Sequence, residues 1–311
     1  MMGTQSLITA RLAQLGSQRD WVWRGWQIRY TYIRPALDST GKQTGLPVIC
    51  LHGFGSALGQ WRSNLKSLGE GHHIYALDFL GFGASEKAPA RYSVWLWADL
   101  VYDFWRTFIG KPAVVVGHSL GALIGLTAVA NHPEMACGLA LLTLPDAQPK
   151  QPPAWARSVE RMFANPLLLL PLFKIVRQPW LLRRVLQKIY IRPELVDDEL
   201  VALFATPPQD RGALAVFCRL SQSRSDDNYS PTVKDLLPCV RTPILLIWGR
   251  EDMVVPVAGA GQLKLLNPNV RLVEIENAGH CAFDECPEKV NQEIIDWIDK
   301  EVRASVSPAA G

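Results

Sequence analysis

An apolar run of strand length, Ala113 to Val116, stops abruptly at Gly117-His118-Ser119-Leu120-Gly121, and an Ala- and Leu-rich segment follows as far as Asn131 to Pro133. Three consecutive β-branched residues, Val114, Val115 and Val116, suit a strand buried on both faces of a parallel sheet. The segment after Ser119 reads as a helix with its stop at Pro133. A Gly-x-Ser-x-Gly at the junction fits a tight turn that lifts the serine hydroxyl clear, because Gly117 and Gly121 permit close backbone approach. Strand, turn and helix in this order commit the chain to an α/β architecture.

Other segments extend the pattern. WVWRGWQIRYTYI (21–33) alternates aromatic and polar residues and predicts a strand pair turning near Arg24 and Gly25. Pro47 to Leu51 predicts a strand ending at HGFG, and HHIYALDF (72–79) another, ending at LGFGASE. A helix is expected from Ser93 to Ile109, and further strands at 138–144, 242–249 and 270–276. Helical stretches are expected at Ala258 to Leu266 and from Pro287 to about Val302. Alternating strands and helices predict a mostly parallel central sheet flanked by helices.

At 311 residues and 48% hydrophobic content, one large domain with an insertion fits better than two independent domains. The interruption between the strands GLALLTL and TPILLIWG, residues 146–241, is Pro-containing and helical in pattern, and reads as a cap over the sheet edge above Ser119. The expected organisation is therefore a core of 21–145 and 242–303, a cap of 146–241, and flexible termini at 1–20 and 304–311.

A serine needs a base, and the base an orienting acid. Among six histidines, His280 is the best placed, in the glycine-containing loop ENAGHCAF after the strand that ends near Glu276. His52 is expected to support the HGFG loop, His118 to point away from the nucleophile, His72 and His73 to lead a strand, and His132 to close a helix. The acid is expected at Asp252 in WGREDMVVP, with Glu251 and Asp146 as rivals. Two fixed donors are required where a carbonyl oxygen becomes negative. The backbone N–H groups of Leu120 and Phe54 are the candidates.

A net charge of +3 is too small to imply nucleic acid. Its distribution is uneven: residues 150–192 hold nine Lys or Arg against one acid, Glu160. With the apolar run NPLLLLPLFKIV (165–176), this segment suggests binding of a long hydrophobic chain through Leu167, Leu168 and Phe173, and peripheral contact with an anionic membrane. Six cysteines without CxxC or zinc spacing suggest reduced, mostly buried thiols and no metal. Neither a secretory signal nor a membrane span is expected from the hydropathy pattern.

HGFG, DFLGFGAS, GHSLG, WGREDMVVP and AGHCAF, in this order, resemble the α/β hydrolase superfamily over nearly the whole chain. The resemblance implies an α/β-hydrolase fold and ester chemistry in the order Ser119, Asp252, His280, without a cofactor. Serine at the nucleophile position resembles the esterase, lipase and C-C hydrolase branches, whereas haloalkane dehalogenases and epoxide hydrolases use aspartate there. WVWRGWQIRYTY, VDDELVALFATPPQDRGALAVF and GHCAFDECPEKVNQEI are similar to the pheophytinase and chlorophyll dephytylase group of cyanobacteria and chloroplasts. His118 stands where plant members of that group often carry asparagine. That likeness implies a substrate such as chlorophyll or pheophytin, and a location in the cytoplasm or beside photosynthetic membranes. General lipase, thioesterase or C-C hydrolase activity is the alternative within the fold, and a non-catalytic receptor the alternative outside enzymes.

Overall fold

The computed structural model describes residues 15–37, 45–145, 166–223, 226 and 228–306. Eight strands form one sheet: β1 (Ser17–Trp23), β2 (Trp26–Ile33), β3 (Pro47–Leu51), β4 (His73–Leu77), β5 (Ala113–His118), β6 (Ala136–Leu142), β7 (Ile244–Gly249) and β8 (Val270–Ile275). Their order is β1-β2-β4-β3-β5-β6-β7-β8. The β1–β2 and β2–β4 pairs are antiparallel and all others parallel, so the expected mostly parallel sheet is present.

Every residue of β3, β5, β6 and β7 is buried, as continuous apolar runs require when helices cover both faces. The two faces separate by the period of two. Ile49, Leu51, Val115, Leu139, Leu141 and Leu246 pack with α2 (Val94–Phe108) and α3 (Leu120–Asn131). Val48, Val114, Val116, Ala140, Leu245 and Ile247 pack on the other side with α1 (Leu65–Gly71) and α9 (Pro287–Trp297). Each Val, Leu or Ile among these side chains contributes about 1.5–3 kcal/mol by leaving water. Ser93 caps α2 by accepting the Leu96 N–H at 3.1 Å.

The β1–β2 turn uses positive φ at Arg24 (50°) and Gly25 (87°), the backbone that a two-residue hairpin of the primed type demands. Its first strand begins at Ser17, not Trp21, because polar Ser17–Asp20 lie on the exposed sheet edge. Asp20 is held there by Arg29 at 2.6 Å. The last helix ends as α-helix at Trp297 and continues as a π-helical turn, Ile298–Val302, then Arg303–Val306.

Between β6 and β7 the described residues form α4 (Pro166–Val176), α5 (Pro179–Ile189), α6 (Asp198–Ala205), α7 (Ala213–Ser223) and short turns, and no strand. Helix α4 packs on α7 through Phe173 and Phe217, 5.4 Å between ring centres, and α5 packs on α6. Helix α8 (Ala260–Leu266) links β7 to β8. Among the described residues no helix is long and apolar enough to cross a membrane.

Candidate active site

Strand β5 delivers Ser119 on a backbone of φ 51° and ψ −117°, a conformation that L residues avoid. It is held by the sheet on one side and the helix on the other. The Ser119 N–H donates to the Leu142 carbonyl and its own carbonyl accepts the Ala122 N–H, both at 2.9 Å. A Cβ at Gly117 would run into the Gly121 carbonyl, and one at Gly121 into the Leu51 carbonyl. The two glycines are therefore a steric condition of the turn. Leu120 opens α3, so its N–H belongs to the first helical turn, where intrahelical acceptors are lacking.

Asp252 and His280 come from the loops after β7 and β8. Asp252 is fixed by its Oδ1, which accepts the Val254 and Val255 N–H groups at 2.8 Å each. Its Oδ2 lies 2.9 Å from His280 Nδ1, and both side chains are almost wholly buried. An anionic carboxylate at Nδ1 keeps the proton on that nitrogen and leaves Nε2 as a base. Glu251 is engaged elsewhere: its Oε2 accepts the Ala278 N–H at 3.1 Å and so braces the His280 loop. Asp146 lies outside the described residues.

The HGFG loop is braced as expected. His52 donates from Nδ1 to the Gly53 carbonyl at 2.8 Å and accepts the Phe79 N–H on Nε2 at 3.0 Å. Burial pushes its pKa down to about 4, so it stays neutral. Phe54 follows at the rim, its ring half exposed and edge-on to Phe82. Ser119, His280, Phe54, Gly53 and His118 line one cavity of about 240 Å³, roofed from the cap by α5 and α6. A larger groove of about 530 Å³ lies between α5 and α6, touches none of these residues, and is shallow. Among the described residues no group of three His, Cys, Asp or Glu could hold a metal ion.

Residues 47–287 match the model of the alpha/beta hydrolase fold family, more than two thirds of the chain. The chain belongs to the α/β hydrolase family. An uncharacterized hydrolase of Bacillus subtilis (strain 168) is 29% identical to it over 84% of this chain and 92% of its own length. The chloroplast pheophytinase of Arabidopsis thaliana is 26% identical over 81% of this chain, and the match spans 60% of that protein. A solved membrane phospholipase A, described as a bacterial virulence factor, superposes with a TM-score of 0.74 at 26% identity, covering 96% of this chain and 91% of that one.

In this hydrolase the described cap residues that line the cavity do not include Phe173. Phe173 packs on Phe217, and the side chains of Leu167 and Leu168 lie outside the described residues. Leu186, Ile189 and Tyr190 of α5 and the following turn, with Leu200, Leu203 and Phe204 of α6, form the roof instead. An apolar helix read alone does not reveal which side faces inward.

His118 turns to the His280 loop. It faces the cavity, donates from Nε2 to the His280 carbonyl at 3.0 Å, and holds its ring 4.8 Å from that of His280. Burial, reinforced by His280, keeps its pKa well below the usual histidine value. Sequence reasoning also missed the clamp beneath His280. Glu285 Oε1 accepts the Gly279 N–H at 2.9 Å, while Oε2 accepts the cap N–H groups of Ile191 at 2.9 Å and Arg192 at 3.3 Å. Beside it, Asp284 takes Arg62 at 3.1 Å and the Tyr190 hydroxyl at 3.0 Å, and Arg62 reaches on to Asp197 at 2.8 Å. One buried network thus ties the cap, the core and the His280 loop.

Proposed function

We propose that this hydrolase cleaves carboxylic esters with Ser119 as nucleophile, His280 as base and Asp252 as the acid that orients it. The observation that carries the reading is the 2.9 Å His280–Asp252 pair opening on the same cavity as a serine on a strained turn. Ser119 Oγ would attack the ester carbonyl as His280 Nε2 takes its proton. The N–H groups of Leu120 and Phe54 would receive the negative oxygen. His280 then protonates the departing alcohol, and a water activated by the same imidazole releases the acid from Ser119.

The proposed substrate is a bulky hydrophobic ester, the phytyl ester of chlorophyll or pheophytin. The leucine- and phenylalanine-lined roof supports it, as does the 26% identity to the Arabidopsis pheophytinase. At about 240 Å³ the cavity falls below the roughly 300–1,000 Å³ that encloses drug-sized ligands. Only the ester and its neighbouring atoms fit beneath the cap as it sits, so turnover of a pigment requires the cap to shift. Such a substrate would bring the enzyme beside photosynthetic membranes.

The test is release of phytol from purified chlorophyll and pheophytin, followed by chromatography, with Ser119→Ala as the inactive control. No phytol from either pigment would defeat the phytyl reading, while cleavage of p-nitrophenyl esters in the same preparation would preserve the ester reading. A glycerolipid acyl ester is the second reading, favoured by the likeness to the membrane phospholipase A. Fatty acid released from phospholipid, with pigments untouched, would select it.

A further inference from the structure

The cap turns an unusual surface outward. Leu172 and Ile175 on α4, and Trp180 and Val185 on α5, are each 45–55% exposed. Lys174, Arg184 and Lys188 stand exposed among them, and the Arg184 guanidinium lies over the Trp180 ring at 5.5 Å. From Pro166 to Ile189 the chain contains no Asp or Glu. An ordinary solvated face mixes both signs of charge and keeps large apolar groups scarce. Here, apart from Gln187, the two helices turn out only apolar and cationic groups.

We propose that the outer sides of α4 and α5 dock the enzyme on an anionic lipid bilayer. The aliphatic side chains and the amphipathic Trp180 would enter the boundary between headgroups and acyl chains, while Lys174, Arg184 and Lys188 meet lipid phosphates. Arg183 is excluded from this role. Its guanidinium is bound to the Val196 carbonyl at 2.6 Å and to Asp198. A second copy of the chain is a poor occupant, because a two-fold interface would set the same cations against themselves. The opposite side of α5 presents Leu186 and Ile189 to the cavity. One helix therefore separates lipid from the space above Ser119, and docking would place an apolar ester at the cap's edge. That delivery rests on the ester reading above; the lipid binding does not.

Flotation with phosphatidylcholine vesicles, with and without phosphatidylglycerol, tests the surface. The wild type should float with the anionic vesicles and be released by salt. Replacing Lys174, Arg184 and Lys188 by Gln should lower partitioning about fivefold for each charge removed, equivalent to about 1 kcal/mol per basic side chain. Ile175→Ser with Trp180→Ala should lower it further at any salt. Thermal melting checks that the variants fold, and their hydrolysis of short p-nitrophenyl esters should match the wild type, since none of these residues lines the cavity. Wild-type failure to float, or variants that float as well as the wild type, would overturn the proposal. So would a wild-type dimer that the apolar double variant dissolves, which would assign the face to a second copy. Loss of ester hydrolysis with flotation intact would count against the catalytic reading alone.

Discussion

Ser119 sits at φ 51° with its neighbours locked by sheet and helix, so its backbone strain is imposed by the fold and stored in the native state. Ser119→Gly should therefore be more stable than Ser119→Ala by about 1 kcal/mol in urea unfolding, although both should lower ester turnover by at least about 10⁴-fold. Asp252→Asn would place an amide donor against His280 Nδ1 and drive the proton to Nε2. Its kcat should fall roughly 10⁴-fold with little change in melting temperature. Asp78 behaves differently. Burial pushes its carboxyl up to about 6, although the Leu58 and Ala84 N–H groups and Lys87 pull the other way. A folded pKa above the unfolded value stabilises at low pH, and that contribution is lost as pH rises through about 6. Relative to Asp78→Asn, the wild type should lose up to about 3 kcal/mol between about pH 4 and 7, read from urea midpoints at each pH. The glycines around Ser119 were legible because a steric demand leaves few alternatives. Asp252 is the expected acid and Glu251 its rival, since both follow β7; the Val254 and Val255 N–H groups hold Asp252 Oδ1 while Oδ2 lies 2.9 Å from His280 Nδ1, contacts that position in the chain alone does not reveal. His118, the last residue of β5, keeps the alternation of Val114 and Val116 and so meets Phe283 and the His280 carbonyl, partners far off in sequence that a strand read alone does not reveal.

At the scale of elements, the buried strands were legible to within two or three residues, because consecutive Val, Ile and Leu leave no polar face to misassign. The polar start of β1 and the π-helical turn after Trp297 were not. Both depend on partners distant in sequence: Tyr32 to Arg29 opposite β1, and Gly138 of β6, beside which Trp297 and Val302 pack. The clamp between the His280 loop and the cap was also invisible, since Glu285 reads as one acid in a polar stretch. Burial raises its pKa, and its three N–H donors oppose that shift. Glu285→Gln keeps one acceptor oxygen where two are used, so one side of the clamp must open. Stability should fall by about 1–3 kcal/mol. If the Gly279 side yields, kcat should drop roughly ten- to hundredfold with KM nearly constant, because His280 is displaced and not the substrate. Steady-state kinetics beside urea unfolding separate the two losses.

For the molecule as a whole, the decisive geometry lies between units far apart in sequence. The core supplies Ser119, Asp252 and His280 from three strand ends, and the cap supplies the apolar roof. The order of strands and the place of the insertion were legible, which is why the three residues could be gathered from a linear text. The depth of the cavity was not, since it depends on how α5 and α6 seat over Gly53 and Phe283. That seating makes a quantitative demand on substrates. Each methylene that enters a leucine-lined space is stabilised by about 0.8 kcal/mol, so kcat/KM for p-nitrophenyl esters should rise roughly fourfold per methylene of acyl chain. The rise should stop when about 240 Å³ is filled. Removing a roof side chain enlarges the space without touching the reacting groups. Phe204→Ala should therefore leave acetate ester turnover within about twofold and move the plateau to longer chains, whereas a plateau fixed at the wild-type length would show that the roof does not set the limit.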